Sequence, residues 1–350
     1  MKQNALWVIL FLAGCHQTPF ATGVGAGAFE AESKGPKFTR EGGAIEATQR
    51  FLTNSPMPDE HPVWSPDGKH IAFQRAGKVD AKGVPSQYNL WLMNADGGAQ
   101  HQLTHAERDC QQASWSPDGK HIAFRQAAAS GATREFDVAM IDVASGAVSL
   151  LVENPGDDKH PSFSHDGKTL VWNSEREGHP ANLYMLPTAD LKAAPRRLTT
   201  SSGTNDVHPT FSPDDRRVVF HSYLIGAAPI DNEPPTKLGL VEVKSGAQGW
   251  LDVGGLLAPK HPFFTPDGHI ITFHASDAKS GDSNVYAMNV DKPGHTVQIT
   301  AIKNGKHPEL SPDGKHLIYA HKHKLTDDGA SQYDISIVDF DYAVLRHALE

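Results

Sequence analysis

The sequence predicts an all-β fold: a six-bladed β-propeller of four-stranded antiparallel blades, closed by an N-terminal strand. Three observations carry this expectation. The stretch His61-Pro62-Val63-Trp64-Ser65-Pro66-Asp67-Gly68-Lys69-His70-Ile71-Ala72-Phe73 returns almost intact from Gln112 to Phe124. Weaker copies begin at His160, His208, His261 and His307, so the six starts lie 51, 48, 48, 53 and 46 residues apart, which is the spacing of propeller blades. Each copy is followed by short apolar runs of strand length, and no long helical pattern appears anywhere.

The chain opens with a targeting segment. Lys2 supplies the positive charge, and Ala5 to Ala13 is an apolar run too short to span a bilayer as a helix. The run ends in Leu12-Ala13-Gly14-Cys15, which resembles the lipobox of bacterial lipoproteins. That resemblance implies a signal peptide over 1–14, cleavage before Cys15 and lipidation at Cys15. With His16 rather than Asp after the cysteine, it also implies a lipid-anchored protein on the periplasmic side of the outer membrane. Residues 15–44 are rich in Gly, Ala, Thr and Ser without periodicity and read as a flexible tether. Gly23 to Ala28 looks like a phosphate-binding loop, but no strand precedes it and no apolar helix follows. Residues 45–350 form the propeller. Cys15 and Cys110 are the only cysteines. With the first lipidated no intramolecular disulfide can form, and stability must come from the core. A net charge of −9 with scattered Lys and Arg argues against nucleic acid as a partner, and the expected state is a monomer.

Within each repeat Ser65-Pro66-Asp67-Gly68 and its copies read as a tight turn. Proline pre-sets φ, aspartate bonds local backbone, and glycine accepts φ > 0. The repeated Asp suggests calcium, but turn chemistry accounts for it. Two copies depart: His165 replaces the proline and Asp215 the glycine. The third strands run Asn89–Met93, Asp137–Ile141, Asn182–Leu186, Leu238–Glu242, Asn284–Met288 and Asp334–Val338. Outer strands end in Leu103-Thr104, Leu198-Thr199 and Ile299-Thr300. The same ending, Leu52-Thr53, stands before the first repeat. The segment from 47 to 53 is therefore expected to complete the sixth blade beside 333–339, removing an exposed edge.

These repeats resemble the WD-like propeller repeats of the TolB family, whose consensus centres on an aromatic-Ser-Pro-Asp-Gly segment. Ser174-Glu175-Arg176-Glu177-Gly178 followed by Asn182-Leu183-Tyr184 fits the same pattern. The resemblance covers about 47–342 and implies the propeller fold. TolB carries an α/β domain before its propeller and receives the peptidoglycan-associated lipoprotein. The present sequence has no such leading domain and reads as lipidated, so the resemblance extends to architecture rather than to TolB's duty.

Twenty histidines are present, and their placement is regular. Five repeats open with His before Pro, namely His61, His160, His208, His261 and His307, while the second has Gln112. First strands line a propeller's channel, so these six residues are expected to ring its mouth as ligand-binding groups. The following proline predicts extended backbone at each of them. At the ends of the second strands stand His221, His274 and His321, with Gln74 and Arg125 in the first two blades. His208, His221, His261, His274, His307 and His321 are therefore the candidate metal ligands, and a divalent transition metal is the cofactor they would take. His70, His121 and His316 fall at the opposite face and read as solvated. The blander reading is that the histidines pack blades or bond neighbouring backbone. Oligogalacturonate lyases resemble the chain in the same repeat and hold a metal with His and Gln, but are seven-bladed. No Gly-x-Ser-x-Gly or His-Glu-x-x-His motif is present. The expected function is a cell-envelope binding module for a protein or glycan, without catalysis. The alternative is a metal-dependent enzyme acting on acidic saccharides.

Overall fold

A computed structural model describes residues 49–350, apart from 80–84, 106–107, 129–134, 179, 230–233, 301–303 and 325–330. The signal peptide, Cys15 and the whole 15–44 tether therefore lie outside the described residues. Among the described residues twenty-four strands form six four-stranded antiparallel sheets. After β1 (Arg50–Phe51), blade one runs β2 (Asp59–Trp64), β3 (His70–Val79), β4 (Pro85–Asn94) and β5 (His101–Gln102). Blade two is β6 (Cys110–Trp115), β7 (His121–Ala127), β8 (Phe136–Asp142) and β9 (Val148–Val152). Blade three is β10 (Asp158–Phe163), β11 (Thr169–Ser174), β12 (Asn182–Pro187) and β13 (Arg196–Arg197). Blade four is β14 (Thr204–Phe211), β15 (Arg217–Leu224), β16 (Thr236–Glu242) and β17 (Gln248–Leu251). Blade five is β18 (Leu257–Phe264), β19 (Ile270–Ser276), β20 (Ser283–Asn289) and β21 (Thr296–Gln298). Blade six is β22 (Gly305–Leu310), β23 (His316–Lys324) and β24 (Ser331–Asp339), with β1 as its outer strand.

The ring closes as the Leu-Thr ending predicts. Arg50 pairs with Ile337 and Phe51 with Ser336. Thr53 then latches the strand: its hydroxyl accepts from Ile335 N–H at 2.9 Å and donates to Asp334 at 2.9 Å. Thr104, Thr199 and Thr300 accept from Leu90, Leu183 and Val285 N–H in the same way. The threonine is thus a buried staple between the end of the outer strand and the third strand, a role its recurrence marked without explaining.

Alternating apolar residues on each blade pack against the next blade, and the core is six clusters, one at every blade–blade seam. The closing seam joins Leu52, Ile318, Ile335 and Ile337 of blade six to Trp64, Ile71, Phe73 and Met93 of blade one. One element escaped the sequence reading. α1 (Tyr342–Leu349) is capped by Asp341, whose side chain accepts from Ala343 and Val344 N–H, and buries Leu345 and Leu349 against blades five and six.

The turns are self-contained. Ser65 donates to Asp67 at 2.7 Å, Lys69 N–H donates to the same carboxylate at 3.1 Å, and His70 N–H donates to Ser65 Oγ at 2.9 Å. The other five turns repeat the Ser/Thr-to-Asp bond. These bonds hold Asp67, Asp118 and Asp313 below the usual carboxylate range, the serine hydroxyl leading each time. The two departures from the repeat meet one another. His165, having an N–H where proline has none, donates it to Asp215 Oδ1 at 2.7 Å, and Asp166 N–H donates to Oδ2 at 2.9 Å. Asp215 occupies the left-handed conformation of the missing glycine, at φ 59°, a region Asp enters more readily than most residues.

Candidate functional site in the channel

The six channel residues share one backbone peculiarity. His61, Gln112, His160, His208, His261 and His307 all have positive φ, between 50° and 61°. The extended backbone expected before proline is therefore wrong. Each sits at a bulge: in blade one Glu60 pairs with Gln74 and Val63 with Ala72, leaving His61 and Pro62 opposite Phe73 alone. The same register break follows in the other five first strands. A left-handed first residue turns the side chain out of the pleat and toward the axis. Histidine is among the residues enriched in that conformation, and the strain costs about 1–2 kcal/mol per residue.

The structure moves the ring from the rim to the waist. Two cavities meet at these six residues. One, of about 500 Å³, opens toward the Ser-Pro-Asp-Gly turns, and the other, of about 320 Å³, opens toward the opposite face. Ring centroids lie 3.5 Å apart for His61–His307, 4.0 Å for His261–His307 and 4.1 Å for His208–His261. His261 Nε2 is 3.0 Å from His208 Nε2, and His261 Nδ1 is 3.2 Å from His274 Nδ1. His160 Nδ1 lies 2.6 Å from Asn173 Oδ1, and Gln112 accepts from His160 N–H at 3.3 Å.

Among the described residues one trio has ligand geometry. His61, His261 and His307 each place a ring nitrogen within 4.8 Å of the others. Both nitrogens of His61 and Nδ1 of His307 are buried without a hydrogen-bond partner, an expensive state for polar atoms. A metal would satisfy them, and three imidazoles suit zinc and its neighbours. His61 stood outside the expected metal set because blade one offered no second-strand histidine. Ring closure, which makes blade one the neighbour of blade six, was the signal that could have included it.

The remaining candidates sort by register. His221 and His274 lie behind the ring, at the second-strand position occupied by Gln74, Arg125 and Asn173 in blades one to three. His261 N–H donates to His221 Nδ1 at 3.3 Å, so the ring proton of His221 sits on Nε2, which has no partner. His321 leaves the set. It pairs one residue later than those positions, opposite Gly305, while Ala320 holds the channel register. A one-residue offset in a strand turns a side chain to the other face. His321 instead lies 2.6 Å from Gln49 Nε2 and stacks on Phe51. Of the rim histidines, His316 lies 3.2 Å from Asp339 at the exposed turn face.

Burial dominates the electrostatics. It pulls the imidazole pKa of His61 down to about 3, helped by the charges of Arg125 and Lys306. Burial likewise holds His160, His208, His221, His261, His274 and His307 well below their ordinary value. These imidazoles are neutral at neutral pH, as ligation requires. The smaller cavity is cationic: Arg125, Lys159, Lys260, Lys306 and Lys322 line it beside the acids Glu175 and Asp277. Sequence reasoning missed this, although Lys-His-Pro at 159–161, 260–262 and 306–308 was in plain view. The larger cavity contains one acid, Glu309, which burial pushes up to about 8 against a hydrogen bond from Trp64 N–H.

Comparison with known proteins follows the fold. Residues 78–232 match the family model described as the TolB beta propeller domain. No curated protein matches the sequence. Among solved structures, a protein assigned as TolB in Agrobacterium tumefaciens is 20% identical, with a TM-score of 0.60 over 83% of this chain and 94% of that one. TolB from Acinetobacter baumannii is 18% identical with a TM-score of 0.55, over 82% of this chain but only 64% of its own length. An oligogalacturonate lyase solved in complex with manganese is 14% identical with a TM-score of 0.54, over 87% of this chain and 96% of that one. The architecture is TolB-like. Among the described residues no helix is long and apolar enough to cross a membrane.

Proposed function

We propose that the chain is a cell-envelope binding module, tethered to the outer membrane through lipidated Cys15. Its channel holds a divalent transition metal on His61, His261 and His307 and offers that ion to a protein or glycan ligand. The observation that carries this reading is the trio itself: three convergent imidazoles within 4.8 Å, kept neutral by burial, with three of their six ring nitrogens lacking a partner. Such a site is cheap to fill and costly to leave bare. The anchor rests on the lipobox-like Leu12-Ala13-Gly14-Cys15.

Metal analysis of protein purified without an affinity tag tests the site, with melting followed during titration by zinc, manganese and nickel. A bound metal should raise the melting temperature as its concentration passes the dissociation constant. His261→Ala and His307→Ala should each abolish most of that rise. His70→Ala, at the turn face, should leave it intact. If no metal shifts melting at neutral pH, or if His70→Ala matters as much as His261→Ala, the trio is not a metal site. Cys15→Ser should move the protein out of the membrane fraction, and an intact mass without acyl groups would refute the anchor.

A second reading, a metal-dependent enzyme acting on acidic saccharides, is favoured by the five cationic side chains on one side of the ring. The fold shared with a manganese-bound oligogalacturonate lyase is compatible with it. Incubating the metal-loaded protein with oligogalacturonate and following unsaturated product by ultraviolet absorbance separates the two. Binding without turnover leaves the module, and turnover replaces it with the enzyme.

A further inference from the structure

The smaller chamber concentrates positive charge on one side of the histidine ring. Arg125, Lys159, Lys260, Lys306 and Lys322 line it against two acids, Glu175 and Asp277. We infer that this chamber is an anion site that takes one phosphate group, free or as the monoester of a small solute, with Lys260, Lys306 and Lys322 as its main counter-charges. The site rests on the cavity and its lysines rather than on a metal in the trio. It also names a different anion from the acidic saccharide considered above.

Register brings the lysines together. Lys260 and Lys306 directly precede the ring residues His261 and His307, so they stand in one tier on adjacent blades. Lys306 pairs with Ala320, and Lys322 follows two residues later, on the same face of blade six because strand side chains alternate. Two tyrosines of the chamber wall back the ammonium groups. Lys260 Nζ lies 5.5 Å from the Tyr223 ring, and Lys306 Nζ lies 5.0 Å from the ring of Tyr333, which pairs with Lys322. Burial, and after it the charge of Lys306, lowers the pKa of Lys322, as expected where ammonium groups share one cavity. Holding like charges together raises the free energy of the empty chamber, and a bound anion relieves it.

Charge and size choose the anion. Asp157 holds Lys159, which leaves four cations facing two acids, an excess of two positive charges. One phosphate group carries about −1.5 to −2 at neutral pH and matches that excess alone. A uronate brings one charge per sugar ring, so the same match takes a longer ligand. The chamber, at about 320 Å³, lies at the small end of ligand cavities, about 300–1,000 Å³, and suits the compact dianion. The side chains agree. Lysine serves phosphate as a point charge, whereas planar bidentate recognition of a carboxylate favours arginine. Arg125, the one arginine among the lining residues, already donates to Gln111 Oε1.

Titration calorimetry on chelator-treated protein at about pH 7.5, where phosphate is mostly dianionic, provides the test. Inorganic phosphate and glucose 6-phosphate are the probes, with galacturonate and its trimer as the carboxylate arm. The better phosphate probe should bind at least about tenfold more tightly than either uronate, and its affinity should fall as salt rises. Preference for the ester marks a phosphorylated solute as the ligand, and equal or weaker binding of the ester marks the free ion. Lys322→Gln should weaken phosphate binding at least about tenfold, and Lys322→Arg, which keeps the charge, should retain it. Lys69→Gln, at the exposed turn face, should change nothing. The zinc-induced melting shift of the histidine trio should persist in Lys322→Gln, so that failure of one site is distinguishable from failure of the other. No phosphate binding in the absence of zinc, a uronate binding as tightly as phosphate, or an affinity untouched by Lys322→Gln would each overturn the assignment.

Discussion

Seven buried neutral imidazoles should make the metal-free protein acid-sensitive well above the pH at which ordinary propeller turns give way. The sign follows from where the protons go. His61 has a folded pKa of about 3 against 6.5 in the unfolded chain, so between those values the unfolded chain binds more protons. Stability is then complete above about pH 6.5 and is lost as pH falls below it. From pH 7 to about pH 5.5 the His61 ring alone costs about 1 kcal/mol, and the six other depressed imidazoles add to the loss in the same direction. Two carboxyls oppose this. Burial pushes Asp59 up to about 7 and Glu309 up to about 8, so both take up protons in the folded state and stabilise it on acidification. Their combined effect over the same interval is a few kcal/mol, about 3 to 4. Seven imidazoles outnumber two carboxyls, so acidification over this interval should cost net stability, a loss that matters against the about 5–15 kcal/mol of a typical domain. The turn aspartates do not contribute here, since their depressed pKa values place their loss below about pH 4. Urea unfolding of chelator-treated protein at several pH values measures the slope. His61→Gln, which copies the Gln112 of blade two, should reduce the difference between pH 7 and pH 5.5 by about 1 kcal/mol. A wild-type difference smaller than one ring's share, or a slope unchanged in His61→Gln, would show that the waist admits protons freely.

Three further outcomes are expected. Restoring the repeat at both departures, His165→Pro with Asp215→Gly, should be less harmful than the sum of the single changes by about 1–2 kcal/mol, because each residue holds the other; strict additivity in urea unfolding would deny the coupling. Deleting the chain through Asn54 should cost several kcal/mol and promote aggregation by baring the edge of β24, and an unchanged melting curve would refute the closure. In blade four a Cβ on Gly239 would lie 2.3 Å from the Phe220 ring, so Gly239→Ala should destabilise by about 1–3 kcal/mol, checked by melting against an innocuous change such as Gly249→Ala, where the space is open.

The fold was legible because its repeat is local. Each Ser-Pro-Asp-Gly turn satisfies its own hydrogen bonds, and each third strand follows at a fixed distance, so six similar copies dictate six sheets. Ring closure was legible for a related reason: Leu52-Thr53 repeats the ending of an outer strand that has no blade of its own. The site was legible only as composition. Whether a histidine faces the axis depends on a bulge that the sequence does not announce, and the proline after each one points to extended backbone where φ is positive. A single-residue offset removes His321 from the channel while Ala320 takes its register. Adjacency across the closing seam brings in His61, which lies 246 residues from its stacking partner His307. Position within a repeat is therefore enough to predict a strand, whereas convergence on the axis belongs to the closed ring. The same holds for His165 and Asp215. Judged separately, each is a tolerable lapse from the turn consensus. Only neighbouring blades held at a fixed distance turn an unneeded N–H and a strained aspartate into one contact, and the two lapses are a single adaptation.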